Sequence, residues 1–202
     1  MKKNERRLVV AITGASGSIY AVRFLEAVLE QYDRIYLTVT ENAETVIRTE
    51  LGLDFSADKT GIRSLLGKCY EKVELFSPQD LTAPPASGSI QHDGMVIIPC
   101  SMGTAGRIAA GISNDLVTRA ADVCLKERRP LILVIRETPL NLIHLRNLTS
   151  LAEAGATILP AAPAFYNRPK TIEDLVSFVV ARVMQQLGLA QTVSPEWERP
   201  NV

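Results

Sequence analysis

The chain has 202 residues, of which 47% are hydrophobic, so it is long enough for one well-packed domain and short for two. Its 22 basic and 22 acidic side chains balance, which argues against a broad binding surface for nucleic acid or for an anionic membrane. The three cysteines form no CxxC pair and the two histidines lie far apart, which indicates a reducing compartment and no zinc site. We expect one cytoplasmic domain over residues 1–202, with a C-terminal tail from about residue 190.

The predicted elements alternate between strand and helix along the chain. Short apolar runs predict strands over residues 8–13, 35–40, 73–76, 95–99, 131–136 and 156–159. Helical spacing of apolar residues predicts helices over residues 18–31, 41–51, 62–66, 115–127, 140–154 and 171–187. This alternation predicts an α/β fold with a doubly wound parallel sheet.

The segment LKERRPLILVIRETPL, residues 125–140, places charges at both ends of one apolar strand. The strand's last residues lie at the carboxyl edge of the predicted sheet, where ligands bind in open α/β folds, so Arg136, Glu137 and Thr138 are candidate functional residues. A salt bridge at a strand end explains the same pattern equally well.

Two turns rich in small residues follow predicted strands. Gly14-Ala15-Ser16-Gly17 offers backbone amides and a hydroxyl at a helix start, where a phosphate can bind, and Cys100-Ser101-Met102-Gly103-Thr104 repeats the arrangement. Neither turn is a GxGxxG fingerprint or a Walker lysine loop, so a mononucleotide such as FMN fits better than NAD or ATP. Close helix packing is the alternative explanation for the first turn. For Cys100 we favour a packing role over a nucleophilic one.

Other polar side chains are predicted on the same side of the sheet. Tyr166 follows a strand, while Arg182 lies among apolar residues of a helix, where it needs either an anionic partner or a path to solvent. With Arg119, Lys126 and the Arg136-Glu137 pair, these residues give several cations and one carboxylate that we expect to converge on a phosphate.

Taken together, several segments closely resemble the UbiX/Pad1 family of flavin prenyltransferases, from about Leu8 to Trp197. They are GASGSIYAVR, the PPASGS loop, MVIIPCSMGT, TRAADVCLKERRPLILVIRETPLNLIHLRNL, ILPAAPAFY and VVAR. The resemblance implies a flavodoxin-like or Rossmann-like three-layer fold, a homododecamer and FMN bound between subunits. The implied activity is metal-independent transfer of dimethylallyl from dimethylallyl monophosphate to N5 and C6 of reduced FMN. The product, prenylated FMN, is the cofactor of UbiD-type decarboxylases.

The resemblance also implies roles for individual residues. Those implied to contact FMN are Gly14, Ala15, Ser16, Thr40, Ser101, Met102, Gly103, Thr104 and Arg136, with Ser87 and Ser89 as further candidates. Lys126, Tyr166 and Arg182 are implied to bind the dimethylallyl phosphate, where positive charge stabilises the departing anion, and Glu137 to assist proton transfer. The chain has Thr40 where relatives commonly have serine, and Asn167 where many have histidine.

Other functions remain as alternatives. One is direct decarboxylation of an aromatic acid, and a related one is flavin-dependent cysteine decarboxylation, which leaves Lys126, Tyr166 and Arg182 without a role. A passive FMN carrier needs no second phosphate site. A purely structural oligomer binds no flavin.

Overall fold

The computed structural model describes residues 5–55, 59–67 and 71–195, and it is built on one parallel sheet. The six strands are Arg7–Ile12 (β1), Arg34–Val39 (β2), Val73–Phe76 (β3), Met95–Cys100 (β4), Leu131–Ile135 (β5) and Thr157–Pro160 (β6). They lie in the order β3-β2-β1-β4-β5-β6, and each pairing is parallel. The predicted doubly wound sheet is confirmed, and this strand order is that of the Rossmann class.

Helices cover both faces of the sheet and complete the three layers. They are Ser18–Val28 (α1), Glu41–Leu51 (α2), Lys59–Leu66 (α3), Met102–Ala109 (α4), Leu116–Lys126 (α5), Leu142–Glu153 (α6) and Ile172–Gln186 (α7). One apolar cluster joins the sheet to α1, α2, α3 and α7, and a second joins it to α4, α5 and α6. Because side chains alternate along a strand, Val10 and Ile12 face the first cluster while Val9 and Ala11 face the second.

The largest difference from the predicted elements follows β4. The sequence predicts a turn and then one helix over residues 115–127, whereas the structure has two helices, α4 and α5. Gly111 adopts a left-handed φ of 69° after α4, and the Asp115 side chain caps α5 by accepting a hydrogen bond from the Thr118 N–H. The other boundaries agree within about three residues, while Cys69 and Trp197 lie outside the described residues.

The strand order creates a crevice where β1 and β4 meet. The chain leaves β1 towards one face of the sheet and leaves β4 towards the other, so their following turns separate at the carboxyl edge. Among the described helices, none has both the length and the apolar character needed to cross a bilayer.

Candidate active site

Buried Thr13 joins the two small-residue turns at this crevice. Its Oγ1 donates a hydrogen bond to the Pro99 carbonyl over 2.8 Å and accepts one from the Ser101 N–H over 2.9 Å. The Thr13 N–H also donates to the Pro99 carbonyl. The two predicted binding turns therefore start from one hydrogen-bonded point at the ends of β1 and β4.

Gly14 begins the first turn, and the structure shows why a side chain does not fit there. A Cβ at this position would lie 2.5 Å from the Asn42 Cβ and 3.3 Å from the Asn42 backbone carbon. Asn42 belongs to the first turn of α2, so neither atom can move without shifting that helix. The sequence allows either close packing or ligand binding as the reason for this turn. The structure shows that close packing against Asn42 requires glycine at position 14.

Two side chains hold the rest of the first turn. The Arg136 Nε donates to the Ser16 carbonyl over 3.1 Å, which places Arg136 at the carboxyl edge as expected. The Glu50 carboxylate accepts hydrogen bonds from the backbone N–H groups of Gly17 and Ser18 at 2.8–3.0 Å. Burial opposes ionisation of Glu50, but hydrogen bonds from Ser16, Ser18 and Gly17 outweigh it and lower its pKa.

This arrangement corrects one expectation from the sequence. The amides at the start of α1 were expected to face a phosphate, but the carboxylate of Glu50 already occupies those of Gly17 and Ser18. A helix N-terminus attracts an anion, and here the chain supplies that anion itself.

The second turn leaves its helix start more open. Ser101 caps α4, because its hydroxyl accepts a hydrogen bond from the Thr104 N–H over 3.2 Å. The preceding N–H groups, those of Met102 and Gly103, have no intrahelical partner by helix geometry. A Cβ added at Gly103 would meet nothing within 4 Å, so the backbone there is open to a ligand. Thr40 caps α2 in the same way, by accepting from the Ala43 N–H.

These turns surround a cleft of about 570 Å³. Its lining includes five of the residues predicted to contact FMN, which are Gly14, Thr40, Ser101, Gly103 and Thr104. Arg107 and Asp115 also line the cleft and form an ion pair. The volume is within the range of small-molecule sites, and hydroxyls, amides and one guanidinium suit a phosphate-bearing ligand such as FMN.

Lys126 lies elsewhere in the subunit. It is the last residue of α5, and α5 runs antiparallel to the strands, so Lys126 lies at the amino edge of the sheet, where β5 begins. Its ammonium pairs with Glu127 beside the backbone of Gly88, in the loop that carries Ser87 and Ser89. Within one subunit, Lys126 therefore lies apart from the cleft at the carboxyl edge.

Tyr166 and Arg182 both lie beside Phe178. The Tyr166 ring packs edge-on against Phe178 at a centroid distance of 6.0 Å. Phe178 and Arg182, one helical turn apart, line the same shallow pocket beside β6. Arg182 is exposed and its Nη1 donates to Gln185 Oε1, so the structure gives it a path to solvent rather than a buried anion.

Glu137 follows Arg136 at the carboxyl edge. It is exposed, and one of its oxygens accepts a hydrogen bond from the Thr138 N–H over 3.1 Å, which fixes the carboxylate beside the end of β5.

Cys100 is buried, in agreement with a packing role. Complete burial raises the pKa of its thiol to about 12 and disfavours the nucleophilic thiolate. Among the described residues, no cluster of His, Cys, Asp and Glu is arranged to hold a metal ion.

The fold and the cleft define a flavin-binding protein of the α/β class, and comparison with known proteins agrees. The family model described as Flavoprotein matches residues 1–184. The flavin prenyltransferase UbiX of Pseudomonas aeruginosa is 44% identical over 195 residues, which cover 95% of this chain and 93% of the relative. The chain belongs to the UbiX family of flavin prenyltransferases.

Two solved structures resemble the whole fold closely. The structure of AnUbiX in complex with FMN and dimethylallyl pyrophosphate has a TM-score of 0.86 and 39% identity, covering 97% of this chain and 99% of that one. A dodecameric FMN-dependent UbiX-like decarboxylase from Escherichia coli O157:H7 has a TM-score of 0.85 and 41% identity, covering 96% and 100%.

Sequence reasoning missed three residues that shape this site. Thr13 directly precedes the GASG turn, so its position was visible although its bridging role was not. Glu50 and Arg107 carry no comparable signal, because each lies within a helix and meets the cleft turns only through tertiary packing.

Proposed function

We propose that this chain transfers a dimethylallyl group from dimethylallyl monophosphate to N5 and C6 of reduced FMN and so makes prenylated FMN. The observation that supports this most directly is the near-full-length match to a structure that holds both FMN and a dimethylallyl donor. The cleft at the switch point supplies room and hydrogen-bond donors for the flavin. A separate set of cations is available for the donor phosphate.

The flavin is held at the carboxyl edge in this proposal. The residues assigned to it are Gly14, Ala15, Ser16, Thr40, Ser101, Met102, Gly103, Thr104 and Arg136. Bound reduced FMN supplies the nucleophilic positions of the reaction. The chain's own part is to orient the flavin through these turns, whose separation is fixed by the hydrogen bonds of Thr13.

The donor phosphate is assigned to Lys126, Tyr166 and Arg182. When the bond between the allylic carbon and the phosphate oxygen breaks, negative charge grows on the phosphate, and two cations with one hydroxyl donor stabilise it. Ring closure consumes the prenyl double bond, which takes up one proton, and releases the proton of C6. Glu137 is exposed at the end of β5, next to Arg136, where its carboxylate can transfer this proton from one position to the other.

The positions of these residues support a site shared between copies of the chain. Lys126 lies at the amino edge of its own subunit, whereas the flavin cleft lies at the carboxyl edge. Large apolar side chains are exposed on α6 and near α7, as an interface requires: Leu142, Ile143, Leu145, Phe165 and Ile172. We propose a homododecamer, the assembly of the Escherichia coli relative, in which Lys126 reaches a neighbour's flavin.

The test is anaerobic incubation of the purified protein with reduced FMN and dimethylallyl monophosphate, followed by mass spectrometry of the flavin. We expect the mass of the flavin to rise by one five-carbon unit. A parallel incubation with dimethylallyl pyrophosphate, the ligand in the AnUbiX structure, determines which phosphate ester is the donor. An unchanged flavin mass with both donors would refute the proposal.

A passive FMN carrier is the second candidate, because the flavin cleft alone would serve it. The variants Arg182→Ala and Lys126→Ala separate the two functions. We expect both to retain FMN and to lose turnover, because these cations bind the donor phosphate, a second anion that a carrier does not need.

The direct decarboxylase alternative predicts carbon dioxide release from an aromatic acid by this protein alone. We propose instead that the product passes to a UbiD-type decarboxylase in the cytoplasm. Decarboxylation should therefore require both proteins. The cytoplasmic assignment is supported by the free, buried thiols of Cys100 and Cys124, which suit a reducing compartment.

A further inference from the structure

Arg107 is a basic side chain of the flavin cleft that the proposed function has not used. It lies in the last turn of α4 and lines the cleft together with Thr40, Ser101 and Thr104. Of the side chains that line this cleft, Arg107 alone is basic. For a dianionic phosphate group bound in the cleft, the Arg107 guanidinium would be the one full positive charge that the lining supplies.

The cleft also contains negative charge that opposes an anionic ligand. The carboxylates of Glu41 and Asp115 belong to its lining. Burial opposes ionisation of Asp115, but hydrogen bonds from Arg107 and Thr118 outweigh it and lower its pKa, so Asp115 is charged. Without Arg107, the phosphate would face an uncompensated carboxylate.

The helix starts around the cleft indicate on which side a phosphate binds. Glu50 occupies the N–H groups of Gly17 and Ser18 at the start of α1. The first N–H groups of α4 are open by comparison, since Ser101 caps only Thr104. Arg107 lies four residues after Gly103 on α4. Residues three or four positions apart share one face of a helix, so Arg107 lies on the same face as the open helix start.

We propose that Arg107 binds the phosphate group of FMN and thereby sets the preference of the cleft for FMN over riboflavin. This inference rests on the proposed function only in taking FMN as the ligand. Asp115 pairs with Nη1 of this guanidinium and is itself fixed as the cap of α5. A bound phosphate therefore shares the guanidinium with Asp115, and the two anions compete for it.

The test compares the affinities of the purified protein for oxidised FMN and for riboflavin, which lacks the phosphate. For Arg107→Gln we expect FMN affinity to fall by roughly tenfold or more, the size expected for loss of a charge-assisted hydrogen bond. Riboflavin affinity should stay within about twofold, because its binding involves no phosphate charge. Arg107→Lys keeps the charge and should recover part of the FMN affinity.

The matched control is Arg48→Gln, which removes the same charge and also breaks a surface ion pair, with Asp54, away from the cleft. It should change neither affinity. The inference is overturned if Arg107→Gln weakens both ligands equally or weakens neither. Absence of FMN binding by the unaltered protein would instead be a failure of the proposed function.

A second variant tests the same idea without touching the arginine. Asp115→Asn keeps a good helix cap for α5 but removes the carboxylate that competes for Arg107. FMN should bind several-fold more tightly and riboflavin equally well. Weaker FMN binding by a variant with an unchanged unfolding temperature would contradict the proposal.

Discussion

The two edges of the sheet carry different kinds of polar structure. At the carboxyl edge, hydroxyls, open amides and Arg107 face a cleft, and the turns are held from behind by Thr13, Glu50 and Arg136. At the amino edge, the Arg129 side chain donates hydrogen bonds to the backbone carbonyls of Gly88 and Ile90 and holds their loop, residues 83–94, beside the end of α5. The carboxyl edge therefore leaves hydrogen-bond donors open to a ligand, whereas the amino edge holds a fixed loop, which in the proposed assembly would present Lys126 to a neighbour.

The strongest test of this comparison is recovery of activity between two inactive variants. Lys126→Ala removes a group at the amino edge and Arg136→Ala one at the carboxyl edge. Each alone should be nearly inactive. If one copy's amino edge completes another copy's cleft, co-expression should form some sites with both residues intact and restore a measurable fraction of prenylated FMN formation.

The control for that test pairs Arg136→Ala with Glu137→Ala, two changes at the same edge. Every cleft in this mixture lacks one of the two residues, so activity should stay low. No recovery in the Lys126 and Arg136 pair, with co-assembly shown by mass measurement of the oligomer, would mean that each subunit builds a complete site.

The next largest effect is expected for Gly14→Ala at the carboxyl edge. The new Cβ would lie 2.5 Å from that of Asn42, so the turn or α2 must shift. We expect the free energy of unfolding to fall by about 3 kcal/mol, the upper part of the range for overpacking, and FMN affinity to drop with it. Thermal unfolding and flavin titration measure the two effects.

Gly103→Ala is the matched substitution in the same cleft. Nothing lies within 4 Å of its added Cβ, and alanine favours a helix, so the free protein should keep or slightly gain stability. Equal destabilisation by the two variants would show that the close approach of Asn42 does not determine the need for Gly14.

The amino edge should respond to acid through His92. This side chain is 7% exposed, its Nδ1 contacts the Gly94 carbonyl at 3.1 Å, and its Nε2 is buried with no partner among the described residues. Burial and the charge of Arg129 lower its pKa from 6.5 to about 4, with the Gly94 carbonyl and Asp93 acting in the opposite direction. The folded state therefore favours the neutral ring.

Because folding lowers the pKa of His92, the neutral ring makes its full contribution to the free energy of unfolding above about pH 6.5. This contribution is lost as the pH drops towards 4, where the folded ring also takes up a proton. At pH 5 the loss is about 2 kcal/mol, since each pKa unit corresponds to about 1.4 kcal/mol. Unfolding measured between pH 7 and pH 4.5 should show this slope, and His92→Asn should flatten it. An unchanged slope in that variant would assign the acid sensitivity to other groups.

Most of the fold was predictable because buried parallel strands give apolar runs that need no tertiary information to recognise. Both binding turns were predictable for a related reason, since each follows such a strand directly. The division of α4 from α5 was less visible, because the small residues between Gly103 and Gly111 suit a turn as well as a helix.

Contacts between distant segments were beyond sequence reasoning. Glu50 reaches the first turn from the far end of α2, and no local pattern marks a carboxylate that caps another helix. The position of Lys126 shows a different gap. The motif around Lys126 was recognisable, but its place at the amino edge follows only from the direction of α5 relative to the sheet.

Arg128 and Arg129 show the same limit and give the smallest expected effect. The two residues are adjacent and chemically identical, yet Arg129 donates to the carbonyls of Ile90 and Gly88 at 2.8 and 2.6 Å, while Arg128 is exposed with a left-handed φ of 55°. Arg129→Gln should destabilise the loop locally by about 1.5 kcal/mol, because hydrogen bonds to a charged donor are lost. Hydrogen exchange of residues 83–94 should then speed up by about tenfold, without a comparable change in the β-strands. Arg128→Gln, which removes the same charge one residue away, should leave that exchange unchanged, and equal acceleration in both variants would show that net charge rather than the two carbonyl contacts holds the loop.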